Sequence, residues 1–399
     1  MIYNFDEIID RSGTDSVRWE VLPEGTPPQV LPLWVADMDF TCPEPVLAAL
    51  RKRIDKKIMG YTVNDGSRIK DAVHSWYKKR FGWSIEKSWI FYSSGIVPAI
   101  AFLVNALTNE GDGIIIQRPV YYPFSKIIAD NKRVIVNNAL VRQGTSYVIN
   151  FEDLENKFAD PKNKGLIFCS PHNPTGRVWT EDELRKVVAI AKKYEKWIIS
   201  DEIHCDLTRA GIKHTPLLKA APEYKNRIIA CVSTAKTFNI AGMHLSSTII
   251  PNPEYQKKWS EFTLTKKLLS DVCSPLSLEA VIAAYNEGEE WLDQARAYID
   301  ANIKYVDEFL KKNLPKATFI DCEGTYLAWI DLREYCSDHK KLEEAMIHKA
   351  KLILDEGYIF GEEGIGYERI NLATPRASVV ECMERLKTAV LDLSRDESK

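Results

Sequence analysis

Between residues 89 and 232, short β-branched runs alternate with amphipathic stretches of ten residues or more. The runs fall at 89–92, 113–117, 165–169, 197–200 and 227–232, and most of their positions are apolar, as in strands covered on both faces. The stretches at 97–107 and 180–194 carry the helical period. The second opens on Thr180 with Glu183 three residues on, the signature of a reciprocal helix cap. Strand and helix alternating at this spacing predict an α/β domain built on a mostly parallel sheet.

The pattern changes after about residue 287. Long charged helical periods at 291–314, 341–356 and 379–393 dominate there, with one strand candidate at 325–330. That predicts a smaller α+β unit. The first fifty residues are Pro-rich and irregular, and are expected to wrap over another unit rather than fold alone. The expected division is a large domain at 50–286 and a small one made of 1–49 with 287–399. No internal repeat or low-complexity segment is present.

Composition narrows the possibilities by exclusion. The 399 residues are 45% hydrophobic and 27% charged, which suits a globular protein with sizeable cores. The 53 basic and 56 acidic side chains leave no positive field to hold a phosphate backbone, so nucleic acid is excluded as a main partner. Cysteines at 42, 169, 205, 231, 273, 322, 336 and 382 form no C-x-x-C pair and no zinc-finger spacing with histidine. No metal is expected, and scattered thiols fit a reducing compartment. The amino terminus has no secretory pattern, and the longest mostly apolar run, 96–107, is too short to span a bilayer. A cytoplasmic protein with no membrane partner is expected.

Ligands of open α/β sheets bind beyond the carboxyl ends of the strands, so the residues that follow each strand carry the chemistry. The first strand is followed by Ser93-Ser94-Gly95-Ile96, a small-residue turn that opens a helix and offers amides to a phosphate. The second is followed by Tyr121 and Tyr122, aromatic faces at a strand end. The third leads into Asn173-Pro174-Thr175-Gly176, whose Asn amide both donates and accepts. After the fourth come Asp201 and Glu202, acids whose burial demands a partner cation. After the fifth comes Ser233-x-x-Lys236, with an amine at the cleft floor that can lose its proton and attack carbonyls. Each segment alone is compatible with an ordinary turn, rim packing or a structural ion pair. Five consecutive strand ends that each supply one component of a single site are not well explained that way. A serine acyl-enzyme reading of S-x-x-K fails, because neither companion, S-D-N or K-T-G, occurs.

In this order the segments resemble the pyridoxal-phosphate enzymes of the aspartate aminotransferase fold, fold type I. The resemblance runs over nearly the whole chain and extends to Arg369-Ile-Asn-Leu-Ala373. It implies that Lys236 carries the cofactor as an internal aldimine and that Asp201 pairs with the pyridinium nitrogen. Tyr121 would stack on the ring, and Asn173 would bind its phenolic oxygen. Ser233 with the Gly95 and Ile96 amides would hold the phosphate. Arg369 would fork onto the α-carboxylate of a small amino-acid substrate.

Within that fold, Pro32-Leu-Trp34-Val-Ala-Asp37-Met-Asp39-Phe40, Gly60-Tyr61-Thr62, Asp201-Glu-Ile-His204 and Lys236-Thr-Phe-Asn-Ile-Ala-Gly242 are similar to the cystathionine β-lyase and cysteine-S-conjugate β-lyase branch. Tyr61 would reach a neighbouring subunit's phosphate, which implies a homodimer with shared active sites. His204 stands where a tyrosine commonly contacts the ring oxygen. His244 stands where many aminotransferases place a phosphate-binding arginine. The resemblance implies β-elimination of a thiolate, leaving pyruvate and ammonia. The alternative is an aminotransferase on the same scaffold, since fold does not fix chemistry. A cofactor-binding scaffold that acts by contacting a regulator has no support in the residues, because the catalytic set is intact.

Overall fold

The computed structural model describes residues 1–62, 66–265 and 274–397; Cys273 lies outside them. Seven strands form the central sheet: β1 (Ile90–Ser93), β2 (Gly113–Ile116), β3 (Val134–Asn137), β4 (Asn163–Cys169), β5 (Trp197–Asp201), β6 (Ile228–Val232) and β7 (Ser246–Ile249). Their order across the sheet is β1-β7-β6-β5-β4-β2-β3. β7 runs antiparallel to both its neighbours, and the remaining pairs are parallel. All five expected strands form, within one or two residues of the expected limits. β3 and β7 were not expected, because Val134–Asn137 and Ser246–Ile249 are short and partly polar.

Apolar side chains alternate between the two faces of this sheet. Ile114, Ile116, Ile167, Ile199 and Ile229 pack under the helix Ile96–Leu107. Ile115, Leu166, Phe168, Ile198 and Ile228 point the other way, towards the helix Glu181–Lys193. That helix carries the expected reciprocal cap, with Thr180 Oγ1 accepting from the Glu183 amide and Glu183 accepting from the Thr180 amide. Covered on both sides, the strands bury most of their length. Their carboxyl ends face a cavity.

A second sheet of four antiparallel strands orders Thr318–Phe319, Leu327–Asp331, Tyr367–Asn371 and Asp355–Glu356. The helices Glu289–Asn313 and Arg376–Glu397 cover it over a separate apolar cluster that includes Leu33. The helix expected at 341–356 is shorter in the structure. It begins as His339–Glu344, passes into a wider π-helical turn over Ala345–Ala350, and ends at Lys351 with φ 53°. The following residues are strands instead: Leu352–Ile353 pairs in parallel with Leu31–Pro32, and Asp355–Glu356 joins the second sheet. Helical periodicity cannot see such a change, because strand partners outside the segment, Leu31–Pro32 and Glu368–Arg369, impose it.

The amino-terminal segment does wrap over other elements. Phe5 packs edge-on against Phe40 at 4.8 Å and Trp291 at 5.9 Å between ring centroids. Arg18, fully buried, donates from Nε to the Pro32 carbonyl at 2.7 Å and pairs with Asp39 at 2.8 Å. Asn371 Nδ2 donates to the Val35 carbonyl at 2.7 Å, and Asn239 Nδ2 donates to Met38 and Phe40 at 3.0 and 2.8 Å. Residues 32–40 are thus a strap tied to both sheets.

Removing one member of a buried ion network strands the other charge. Arg18→Ala is therefore expected to cost about 3–5 kcal/mol in urea unfolding. A loss under about 1 kcal/mol would show that Arg11, which also pairs with Asp37 and Asp39, holds the strap unaided.

Candidate active site

The carboxyl ends of β2, β4, β5 and β6, together with the turn after β1, converge on a cavity of about 410 Å³. It is lined by Gly95, Ile96, Tyr121, Asn173, Asp201, His204, Ser233 and Lys236, all of which the sequence singled out. That volume lies within the usual range for a small-molecule site. Arg369 adjoins the cavity through Asn173, with Nη1 donating to Asn173 Oδ1 at 3.0 Å. Tyr61 does not join the group. It is 97% exposed.

Ser233 caps the short helix Thr234–Thr237, its Oγ accepting from the Ala235 amide at 3.1 Å. That turn projects Lys236, half-buried, into the cavity, where Nζ donates to the Ala36 carbonyl at 2.6 Å. Burial lowers the proton affinity of this amine to about 8; Arg369 lowers it too, while Asp37 and Asp201 oppose the shift. Tyr326 donates to the same Ala36 carbonyl at 2.8 Å. The strap therefore supplies the polar cover of the lysine.

Asp201 ends β5 and is paired in register with Cys169 on one side and Cys231 on the other. Its carboxylate takes one hydrogen bond, from the Ile203 amide to Oδ1 at 3.1 Å, and faces the cavity. Burial raises this carboxyl to about 7, with the neighbouring Glu202 charge adding to the rise and the Ile203 amide and Lys236 opposing it. Glu202 itself faces away, bound by Ser200 Oγ, the Leu217 amide and His214 at 2.9–3.1 Å. His204 is pushed down to about 3 by burial and by the cations Lys236 and Arg369, so its ring is neutral. Its buried Nδ1 has no hydrogen-bond partner among the described residues.

Tyr121 donates its backbone amide to the Asn173 carbonyl at 3.0 Å, which ties the ends of β2 and β4 together. Burial raises its phenol, so the ring is neutral. Gly95 precedes the first turn of the helix Ile96–Leu107, whose amides open onto the same cavity as Ser233. His244, at φ 48°, also lines it, which puts an imidazole where the resemblance expected an arginine.

These groups fit pyridoxal phosphate on the structure's own terms. A buried carboxylate with a single hydrogen bond awaits a cation such as a protonated ring nitrogen. A lysine of lowered proton affinity stands ready for an aldehyde, and amides with a serine hydroxyl suit a phosphate. Among the described residues, no three His, Cys, Asp or Glu side chains converge to hold a metal ion.

Four contributors escaped sequence reasoning: the Ala36 carbonyl, Tyr326, Asn239 and Asp355. A backbone carbonyl has no side-chain signature. Tyr326 and Asp355 act through strand pairing in the second sheet, which no local pattern announces. Asn239 does lie in the quoted stretch after Lys236, and its buried amide was the available signal.

The Asp201 shift has a consequence for stability. The unfolded carboxyl titrates near 3.8 and the folded one near 7, so between those values the fold holds a proton that the unfolded chain has released. Stability from this group is present below pH 4 and is lost as pH rises to 7. Cofactor-free Asp201→Asn should match the wild type near pH 4 and exceed it above pH 7, by on the order of 1–3 kcal/mol. Thermal unfolding across that range checks the sign.

The family model for class I and II aminotransferases matches residues 28–386. The chain is 38% identical to cystathionine β-lyase PatB of Bacillus subtilis strain 168, over 97% of this chain and 100% of that one. Its structure is similar to that of cystalysin from Treponema denticola, which contains a pyridoxal 5′-phosphate cofactor. The TM-score is 0.94 and the identity 40%, covering 98% of this chain and 100% of the other. It is also similar to the PLP-bound C–S lyase of Staphylococcus hominis, with TM-score 0.92, 39% identity, and coverage of 98% and 99%.

Proposed function

The chain belongs to the class I and II aminotransferase family, and we propose that its cavity breaks the Cβ–S bond of cystathionine or a related cysteine S-conjugate. It is a pyridoxal-phosphate-dependent carbon–sulfur β-lyase, whose products are a thiol, pyruvate and ammonia. The observation that carries the reading is the placement of Lys236 and Asp201 at neighbouring strand ends in one cavity. One titrates near 8 and the other near 7.

Pyridoxal phosphate, when bound, supplies an aldehyde for amines and a ring that withdraws electrons from the substrate's Cα. Asp201 would hold a proton on the ring nitrogen, and Tyr121 would stack on the ring. Asn173 and His204 would hold the ring oxygen. Ser233 with the Gly95 and Ile96 amides would hold the phosphate, and His244 lines the same cavity. Arg369 binds the substrate α-carboxylate. Lys236 Nζ takes the Cα proton, which its lowered proton affinity permits near neutral pH. Loss of that proton would let the β-thiolate leave, and one water would hydrolyse the remaining three-carbon fragment to pyruvate and ammonia. Transamination would use the same lysine to return the proton elsewhere, and would need a keto acid.

The proposed assembly is a cytoplasmic homodimer with shared sites. Exposed apolar side chains at Ile54, Ile58, Met59 and Tyr61, interspersed with Asp55, Lys56 and Lys57, support it. Seven described cysteines are free, in keeping with a reducing compartment, and no described helix is long and apolar enough to cross a membrane.

Purified protein should release pyruvate from L-cystathionine with no keto acid added, and borohydride should fix the cofactor to the peptide containing Lys236. Pyruvate that depends on added keto acid would favour transamination. For assembly, co-expressed Lys236→Ala and Tyr61→Phe chains should form mixed dimers more active than either parent. A dimer holding one site with both lesions and one with neither accounts for that gain. Absence of recovery in proven mixed dimers would return Tyr61 to its own subunit.

A further inference from the structure

Arg369 is held more completely than an arginine awaiting a ligand requires. Its guanidinium is buried and lies over the Phe360 ring at 4.9 Å. Nη1 donates to Asn173 Oδ1 at 3.0 Å. Nη2 donates to the Trp34 carbonyl at 2.9 Å and to Asp355 Oδ2. Nε is buried without a hydrogen-bond partner among the described residues.

A guanidinium forks onto a carboxylate through one of two edges, Nη1 with Nη2 or Nε with Nη2. Both edges need Nη2, and both of its protons are taken. An incoming α-carboxylate gains a two-pronged grip only if the Trp34 carbonyl or Asp355 gives way. Trp34 belongs to the strap, whose backbone Asn371 holds through the Val35 and Asp37 carbonyls at 2.7 and 2.5 Å. Asp355 is a side chain, and an anion that repels a second anion.

Its position is set by the fold. Asp355 stands opposite Arg369 in the register of two antiparallel strands, and Glu356 stands opposite Glu368 one pair along. Burial raises the Asp355 carboxyl while Arg369 draws it down. Tyr121, Tyr122, Glu356 and Glu368 feel its charge as well, and all are acids that add no cation. Arg369 is its ion-pair partner.

We propose that Asp355 sets the affinity of the site for carboxylates, as an internal carboxylate that occupies the Arg369 fork and yields it to the α-carboxylate of the substrate. The proposal rests on the role given above to Arg369. Every ligand that docks an α-carboxylate there meets the same competition, so Asp355 lowers the affinity for all of them by a similar factor.

The test is steady-state kinetics of the holoenzyme on L-cystathionine, with propionate as a competing carboxylate. Asp355→Asn keeps the side-chain shape and removes the charge. KM and the propionate inhibition constant should both fall about 10-fold, the scale of one charge-assisted hydrogen bond, with kcat within about twofold. Asp355→Ser should behave alike. An unchanged or raised KM in both variants overturns the proposal, as does failure of both to fold, which would make Asp355 purely structural. Arg369→Lys separates the two readings. If it leaves KM and propionate inhibition unchanged, the role of Arg369 fails. If it weakens both while the Asp355 variants change neither, only the competition fails.

Discussion

Taking a charge out of water is expensive, and this molecule does so with two opposite charges at the ends of neighbouring parallel strands. Asp201 closes β5, and Lys236 follows β6 by four residues. Neither reaches full solvation, so each shifts towards its neutral form: the amine falls to about 8 and the carboxyl rises to about 7. Groups that water would keep firmly charged at neutral pH are left near their titration points. Such poising follows from a sheet covered on both faces, with helices 96–107 and 181–193 on opposite sides. An open face would let water restore ordinary values and end the pair's usefulness as acid and base.

The strap at 32–40 completes that enclosure from the other end of the chain. Its Ala36 carbonyl accepts from Lys236 and Tyr326, while the Trp34 carbonyl accepts from Arg369. Asn371, two residues beyond Arg369 on the same strand, holds the strap's backbone. The Lys236 amine and the Arg369 guanidinium are therefore held by one shared piece of main chain. A displacement of the strap would disturb both, which accounts for the buried ion network of Arg11, Arg18, Asp37 and Asp39 beneath it.

Chemistry on this scaffold is decided by what surrounds a common core of lysine and aspartate. Neutral His204, near the cations Lys236 and Arg369, lines the cavity without adding charge to it. Asp355 compensates the charge of Arg369, so the cavity does not present a naked cation to every carboxylate.

Local sequence was enough for the parts whose physics is local. Mostly apolar runs marked β1, β2, β4, β5 and β6, since a doubly covered strand leaves little room for polar side chains. The Thr180–Glu183 cap was readable because its two partners lie within one turn. The ordered residues at the strand ends, from Gly95 to Lys236, were readable because connectivity alone sends them all to one edge of a parallel sheet. Tertiary structure decided the rest. It ended the 341–356 helix at Lys351 by recruiting Leu352–Ile353 to Leu31–Pro32, and it added β3 at the sheet edge and β7 between β1 and β6 by strand pairing. It brought Ala36, Tyr326 and Asp355 to the lysine and the fork through contacts spanning from 14 to 290 residues. Sequence determines which groups a strand end carries, whereas register and burial determine which charges they meet. A pattern of single positions holds no record of a partner that only folding supplies.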